Sequence, residues 1–175
     1  MDGRLPDEVL IIGIGNIDRG DDGVGNLTVQ RLRTRIPVGI RTAQVLGEAT
    51  DLIGIWQTEH PSTVYVVDAT CCGIPAGTIQ RFEAHHAPLP AEFTRNTSTH
   101  ALGLAEAIEL ARLLDDLPKR LIVYGIEGLS FDFNAPLSPA VEAASLQVVE
   151  RILKEIVPLN ESETRPADHP LSATR

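Results

Sequence analysis

Val9-Leu10-Ile11-Ile12-Gly13-Ile14, followed at once by Gly15-Asn16-Ile17-Asp18-Arg19-Gly20-Asp21-Asp22-Gly23, is the stretch that decides the fold. An unbroken apolar run closed by a glycine- and aspartate-rich turn fits a strand covered on both faces, because a strand with one face in water alternates. Such strands belong to parallel sheets, whose crossovers are usually helices. A helix comes next. From Val24 to Ile36 the residues Gly25, Val29, Leu32 and Ile36 recur at helical spacing, and Pro37 stops the run.

The alternation continues outward from there. Ile40 to Val45 reads as a second strand and Thr50 to Gln57 as a short helix that includes Trp56, expected in the core or docking the helix. Thr63-Val64-Tyr65-Val66-Val67-Asp68 is another buried strand, ending in an acid. Thr78 to Phe82 alternates apolar and polar, as an edge strand does. Residues 84 to 97 lack periodicity and read as a loop, with His85 and His86 as solvated loop histidines. His100 to Leu114 is expected to be helical, with Leu104, Ile108 and Ala111 on one face, and Leu121 to Ile126 is a central strand. Ser138 is placed to cap a last helix with Pro139 at its first position, and Val141, Val148, Val149, Ile152 and Ile156 form its buried stripe. From Pro158 the chain is rich in Pro, Glu, Ser and Thr, so one domain over 1–157 and a disordered tail over 158–175 are expected. Strands alternating with helices imply α/β architecture: a mostly parallel sheet with helices on both faces.

Composition bounds the function. A chain of 175 residues suits one domain, and with aromatics at 4% its core must be built from Val, Ile, Leu and Ala. A net charge of -9 and the lack of any basic run argue against nucleic acid and anionic membranes as partners. The field favours a metal ion or a cationic peptide. The opening residues do not form a signal peptide, and no apolar run approaches the roughly 20 residues that span a bilayer. A cytoplasmic monomer is expected. Cys71 and Cys72 are adjacent, neither a disulfide framework nor a zinc spacing.

Polar residues collect where such a fold keeps its chemistry, past the carboxyl ends of the strands. Asp21 and Asp22 follow the first strand, Asp68 ends the third, and His100 opens a helix that returns to the sheet. A carboxylate at the end of a buried strand is costly unless compensated, and a shared divalent ion compensates several at once. One imidazole with carboxylates suits zinc, nickel or manganese, and three protein ligands leave positions open. Taken singly, Asp68 could as well cap a backbone amide, and His100 could serve the start of its helix. Spacing along the chain does not bring the three together. The Gly13-Ile14-Gly15 turn is not a dinucleotide fingerprint, because Asp18 stands where the third glycine belongs. No Gly-x-Ser-x-Gly elbow is present, and nothing near Cys71 or Cys72 would activate a thiol.

In order along the chain, Gly13-Ile14-Gly15-Asn16, Gly20-Asp21-Asp22-Gly23-Val24-Gly25, Val66-Val67-Asp68-Ala69, His100-Ala101-Leu102-Gly103-Leu104, Gly125-Ile126-Glu127 and Leu137-Ser138-Pro139-Ala140-Val141-Glu142 resemble the nickel–iron hydrogenase maturation proteases. The resemblance implies a three-layer α/β/α sandwich around a twisted sheet. It implies an endopeptidase that removes the C-terminal extension of the hydrogenase large-subunit precursor after nickel insertion. It also implies Asp22, rather than Asp21, with Asp68 and His100 as both metal ligands and catalytic residues. The metal would be divalent: nickel, supplied at least in part by the substrate, with zinc or cadmium as surrogates. Two positions depart from the pattern. Where many members carry an acid before Gly-Gly-Thr, this chain reads Leu46-Gly47-Glu48-Ala49-Thr50, leaving Glu48 as the acid able to substitute. Gly128 replaces a proline after Gly-Ile-Glu. Another metal-dependent peptidase or amidase, and a non-catalytic nickel-binding maturation partner, are the alternatives.

Overall fold

The computed structural model of the chain describes residues 8–46, 49–94 and 103–161. In chain order the elements are β1 (Val9–Ile14), a single 3-10 turn (Gly20–Gly23), α1 (Val24–Leu32), β2 (Arg41–Val45), α2 (Ala49–Glu59), β3 (Thr63–Thr70), β4 (Ile79–Glu83), α3 (Ala91–Thr94), α4 (Leu104–Leu113), β5 (Arg120–Glu127) and α5 (Pro139–Glu161). The strands form one sheet in the order β2-β1-β3-β5-β4. All neighbours are parallel except β4, which runs antiparallel to β5 on one edge.

Alternation of side chains across a strand divides the core in two. Leu10, Ile12, Val64, Val66, Leu121 and Val123 face Leu52 and Trp56 of α2 and Leu104 and Ile108 of α4. Val9, Ile11, Tyr65, Val67, Ile122, Tyr124 and Ile126 face Val29 and Leu32 of α1 and Val141, Val148 and Ile152 of α5. Each fully buried aliphatic side chain contributes about 1.5–3 kcal/mol, and because both faces are covered, β1 and β3 are buried from end to end. The architecture is the three-layer α/β/α sandwich, and it sets the carboxyl ends of β1, β2, β3 and β5 along one rim.

Several elements differ from the pattern reading. α1 ends at Leu32 rather than Ile36, loosening into turns in which the Arg35 and Ile36 amides both donate to the Leu32 carbonyl. Pro37 disfavours helical geometry at Ile36, so the last turn does not close. β3 runs two residues beyond Asp68, because Asp68, Ala69 and Thr70 continue in register with Gly125, Ile126 and Glu127 of β5. Within the expected loop, the short α3 drives Phe93 into the core, edge-on to Phe82 at 5.5 Å. α4 runs from Leu104, with the Gly103 amide donating to the Glu106 carboxylate, and the start expected at His100 lies outside the described residues. α5 starts at Pro139 as expected, but the Ser138 hydroxyl donates to Asp21 instead of capping the helix. α5 also reaches Glu161, past the boundary expected at 157. Residues 162–175, within the expected tail, lie outside the described residues.

Candidate active site

The glycines after β1 let two pieces of backbone touch. A Cβ on Gly13 would stand 2.5 Å from the Gly25 carbonyl oxygen. One on Gly25 would overlap the carbonyl oxygens of Val67 and Ile14. Gly15, at φ +117°, lies under the Asp22 carbonyl in a conformation that favours glycine. These glycines do not cradle a phosphate. They lower the start of α1 onto β1 and β3, which sets the 3-10 turn and its acids over the end of β3. Asn26 secures the joint, its side-chain amide donating to the carbonyls of Gly15 and Val45.

The adjacent acids of that turn part company. Asp21 is fully buried and accepts from the amides of Leu129 (2.8 Å), Ser130 (2.9 Å) and Ser138 (2.6 Å) and from the Ser138 hydroxyl (2.8 Å). Burial pushes its carboxyl up, but the Ser130, Ser138 and Leu129 amides outweigh it and hold it below the usual carboxylate range. Asp21 therefore fastens the loop after β5 and the start of α5 to the turn. Asp22 is half-buried and accepts from the Asn16 amide at 2.8 Å through Oδ2.

Asp68 projects from β3 toward the α2–α4 side, in phase with Val64 and Val66. It is buried, and its carboxyl is pushed up to about 8, first by burial and then by the charge of Asp22, against the favourable Ala69 amide. The fold thus brings Asp22 and Asp68, distant in sequence, into mutual repulsion. Among the described residues no Lys, Arg or His makes an ion pair with either. A repelling carboxylate pair with one member buried is a donor set whose cost a divalent cation would remove.

His100, expected beside these acids, lies outside the described residues, as do Gly47 and Glu48. Gly125, the register partner of Asp68, lacks a Cβ where Phe93 packs; a Cβ there would meet the Phe93 ring at 2.6 Å. Leu104, at the start of α4, is buried in the same core layer as Phe93.

Pattern reading gave Glu127 no role. It is buried at the end of β5 and accepts from the Thr70 hydroxyl (2.7 Å) and the amides of Cys72 (3.0 Å), Gly73 (2.8 Å) and Ile74 (3.3 Å). Glu127 therefore shapes the turn that follows β3. The signal was an acid closing a buried strand, the same signal that singled out Asp68. Burial, and then the charge of Glu127, push the Cys72 thiol up, the opposite of what a nucleophilic cysteine needs.

Similarity to known proteins converges on one family. The sequence model of the hydrogenase maturation protease family matches residues 48–155. The hydrogenase expression/formation protein HupD of Thiocapsa roseopersicina is 32% identical over 155 residues, covering 86% of this chain and 68% of that protein. The hydrogenase 2 maturation protease of Escherichia coli is 28% identical, covering 83% and 88% of the two chains. Among solved structures, the hydrogenase maturating endopeptidase HybD from E. coli superposes with a TM-score of 0.69 at 27% identity, over 89% of this chain and 94% of that one.

Proposed function

The chain belongs to the hydrogenase maturation protease family, and we propose that it removes the C-terminal extension of a nickel–iron hydrogenase large-subunit precursor once nickel has been inserted. The reading rests on the meeting of Asp22 with Asp68. In this proposal Asp22, Asp68 and His100 hold a divalent ion, nickel carried in by the precursor or zinc or cadmium in its place. When bound, such an ion polarises a scissile carbonyl or acidifies a water from a pKa of about 15.7 to roughly 7. The chain's own part is positional. Asp21 and the tight glycine contacts fix the turn that carries Asp22, and β3 fixes Asp68, so neither carboxylate reorganises as substrate arrives.

A folded protein substrate also fits the surroundings. Ile17, Leu46, Leu129 and Phe133 are large, apolar and exposed, on loops after β1, β2 and β5 along the same rim. The Asp18 carbonyl accepts from the Asn134 amide at 2.7 Å, so two of those loops are joined. Exposed apolar groups gathered around a polar centre mark a protein-docking surface.

The test is processing of a nickel-loaded precursor by purified protein, followed by mass spectrometry. A single C-terminal cut is expected, lost in Asp22→Ala, Asp68→Asn and His100→Ala. Full processing by an Asp22→Ala, His100→Ala double variant would sink the proposal. Adding zinc to a nickel-free precursor separates two roles for the metal: cleavage means the ion serves the chemistry, and its absence means nickel is read as part of the substrate.

A further inference from the structure

We propose that Glu83, His85 and His86 form a second divalent-metal site, separate from the carboxylate centre. Each offers one ligand atom, and these atoms lie within 4.8 Å of one another. Ligands around a zinc-type ion stand roughly 3.4 Å apart at bond lengths of about 2.1 Å, so side-chain rotation alone closes the set. Two imidazoles with one carboxylate favour a borderline transition ion (zinc, nickel, copper or cobalt) over magnesium or calcium, which want oxygen.

The turn is held from outside the cluster. The Ala84 amide donates to the Leu121 carbonyl at 2.9 Å, continuing the β4–β5 ladder one step past Glu83. Arg112 of α4 donates to the carbonyls of Ala84 and His85. His85 Nδ1 lies 3.1 Å from the Leu121 carbonyl oxygen. The Leu121 amide also donates to Nδ1 at 3.2 Å, which puts the ring proton on Nε2. An ion at Nε2 therefore requires the other tautomer, in which Nδ1 donates to the Leu121 carbonyl, the backbone-oriented arrangement common among metal-ligating histidines. Glu83 divides its oxygens in a similar way: Oε1 takes Arg81 at 3.1 Å, and Oε2 lies 3.8 Å from His86 Nε2. The two imidazole centroids are 4.0 Å apart. The rings are tilted by 41°, and the Glu83 oxygen that faces His86 is the one not bonded to Arg81.

The site cannot share an ion with Asp68. Glu83 pairs with Ile122, three residues along β5 from Gly125, the partner of Asp68. That is roughly 10 Å along the strand at about 3.3 Å per residue, with two strand spacings to cross as well. An ion held here closes the turn after β4 and takes no part in peptide-bond cleavage.

Calorimetric titration of the metal-depleted full-length protein with zinc chloride tests the proposal. The wild type should take up one equivalent whose affinity falls at least tenfold in His85→Ala/His86→Ala and which persists in Asp68→Asn. His86→Ala and Glu83→Gln alter exposed side chains and guard against misfolding of the double variant; each should weaken the same equivalent, with circular dichroism unchanged. Equal stoichiometry and affinity in wild type and histidine variants, or loss of that equivalent in Asp68→Asn instead, overturns the proposal.

Discussion

Asp21 and Ser138 are joined twice, the serine amide donating to Asp21 Oδ1 at 2.6 Å and its hydroxyl to Oδ2 at 2.8 Å. A residue of the first loop thereby anchors the start of the last helix, and neighbouring aspartates acquire opposite duties. Asp21→Ala strands the buried amide and hydroxyl of Ser138 and frees the part-buried amides of Leu129 and Ser130, so it should destabilise by about 2–3 kcal/mol, read as the urea midpoint. Asp22→Ala should change stability by less than about 1 kcal/mol while abolishing precursor cleavage. Because the native carboxyl of Asp21 lies below its unfolded value, the native state there binds fewer protons. Its stabilisation is present above about pH 4 and is lost as pH falls through the lowered native value. Asp21→Asn should flatten that acid limb.

Asp68 runs the other way. With the native carboxyl up at about 8 and the unfolded one near 3.9, the native state binds the extra proton between those limits. The metal-free protein should therefore lose stability as pH rises from about 4 to about 8. Asp68→Asn should remove most of that slope and raise metal-free stability at pH 8 by several kcal/mol, at about 1.4 kcal/mol per pKa unit, while cleavage is lost. Urea midpoints at pH 5 and pH 8 for both proteins check the sign. An Asn variant no more stable than wild type at pH 8 would show that Asp68 is not buried beside a like charge.

Two glycine substitutions make a matched pair. Gly25→Ala would force a Cβ into the carbonyls of Val67 and Ile14, and should destabilise by about 3 kcal/mol or prevent folding. Gly54, within α2, has open space where a Cβ would stand, with nothing within 4 Å, so Gly54→Ala should stabilise by about 0.5–1 kcal/mol. Thermal unfolding of the two variants is sufficient.

The apolar rim can be tested apart from the chemistry. Leu129→Asp and Phe133→Asp alter side chains 71% and 70% exposed, so unfolding midpoints should barely move. Precursor processing should slow at least tenfold at low precursor concentration and recover partly at high concentration, the mark of lost docking.

Local patterning along the chain settles the layers. Unbroken apolar runs at Val9–Ile14 and Val64–Val67, a helical stripe at Val141 to Ile156 and alternation at the β4 edge are local periodicities, and each fixes which faces of an element are buried. The same reading draws attention to Asp21, Asp22, Asp68 and His100, since acids past strand ends and a histidine ahead of a helical stripe stand out against apolar neighbours, and the family resemblance singles out Asp22 of the first two. Which aspartate of the Asp21-Asp22 pair turns inward was settled in three dimensions, by amides of Leu129, Ser130 and Ser138 over a hundred positions away. The clamp at Glu127 and the slot that Gly125 leaves for Phe93 have the same origin. Periodicity reports how one element meets the core. Hydrogen bonds and close backbone contacts between elements depend on sheet order and register, which no local pattern encodes.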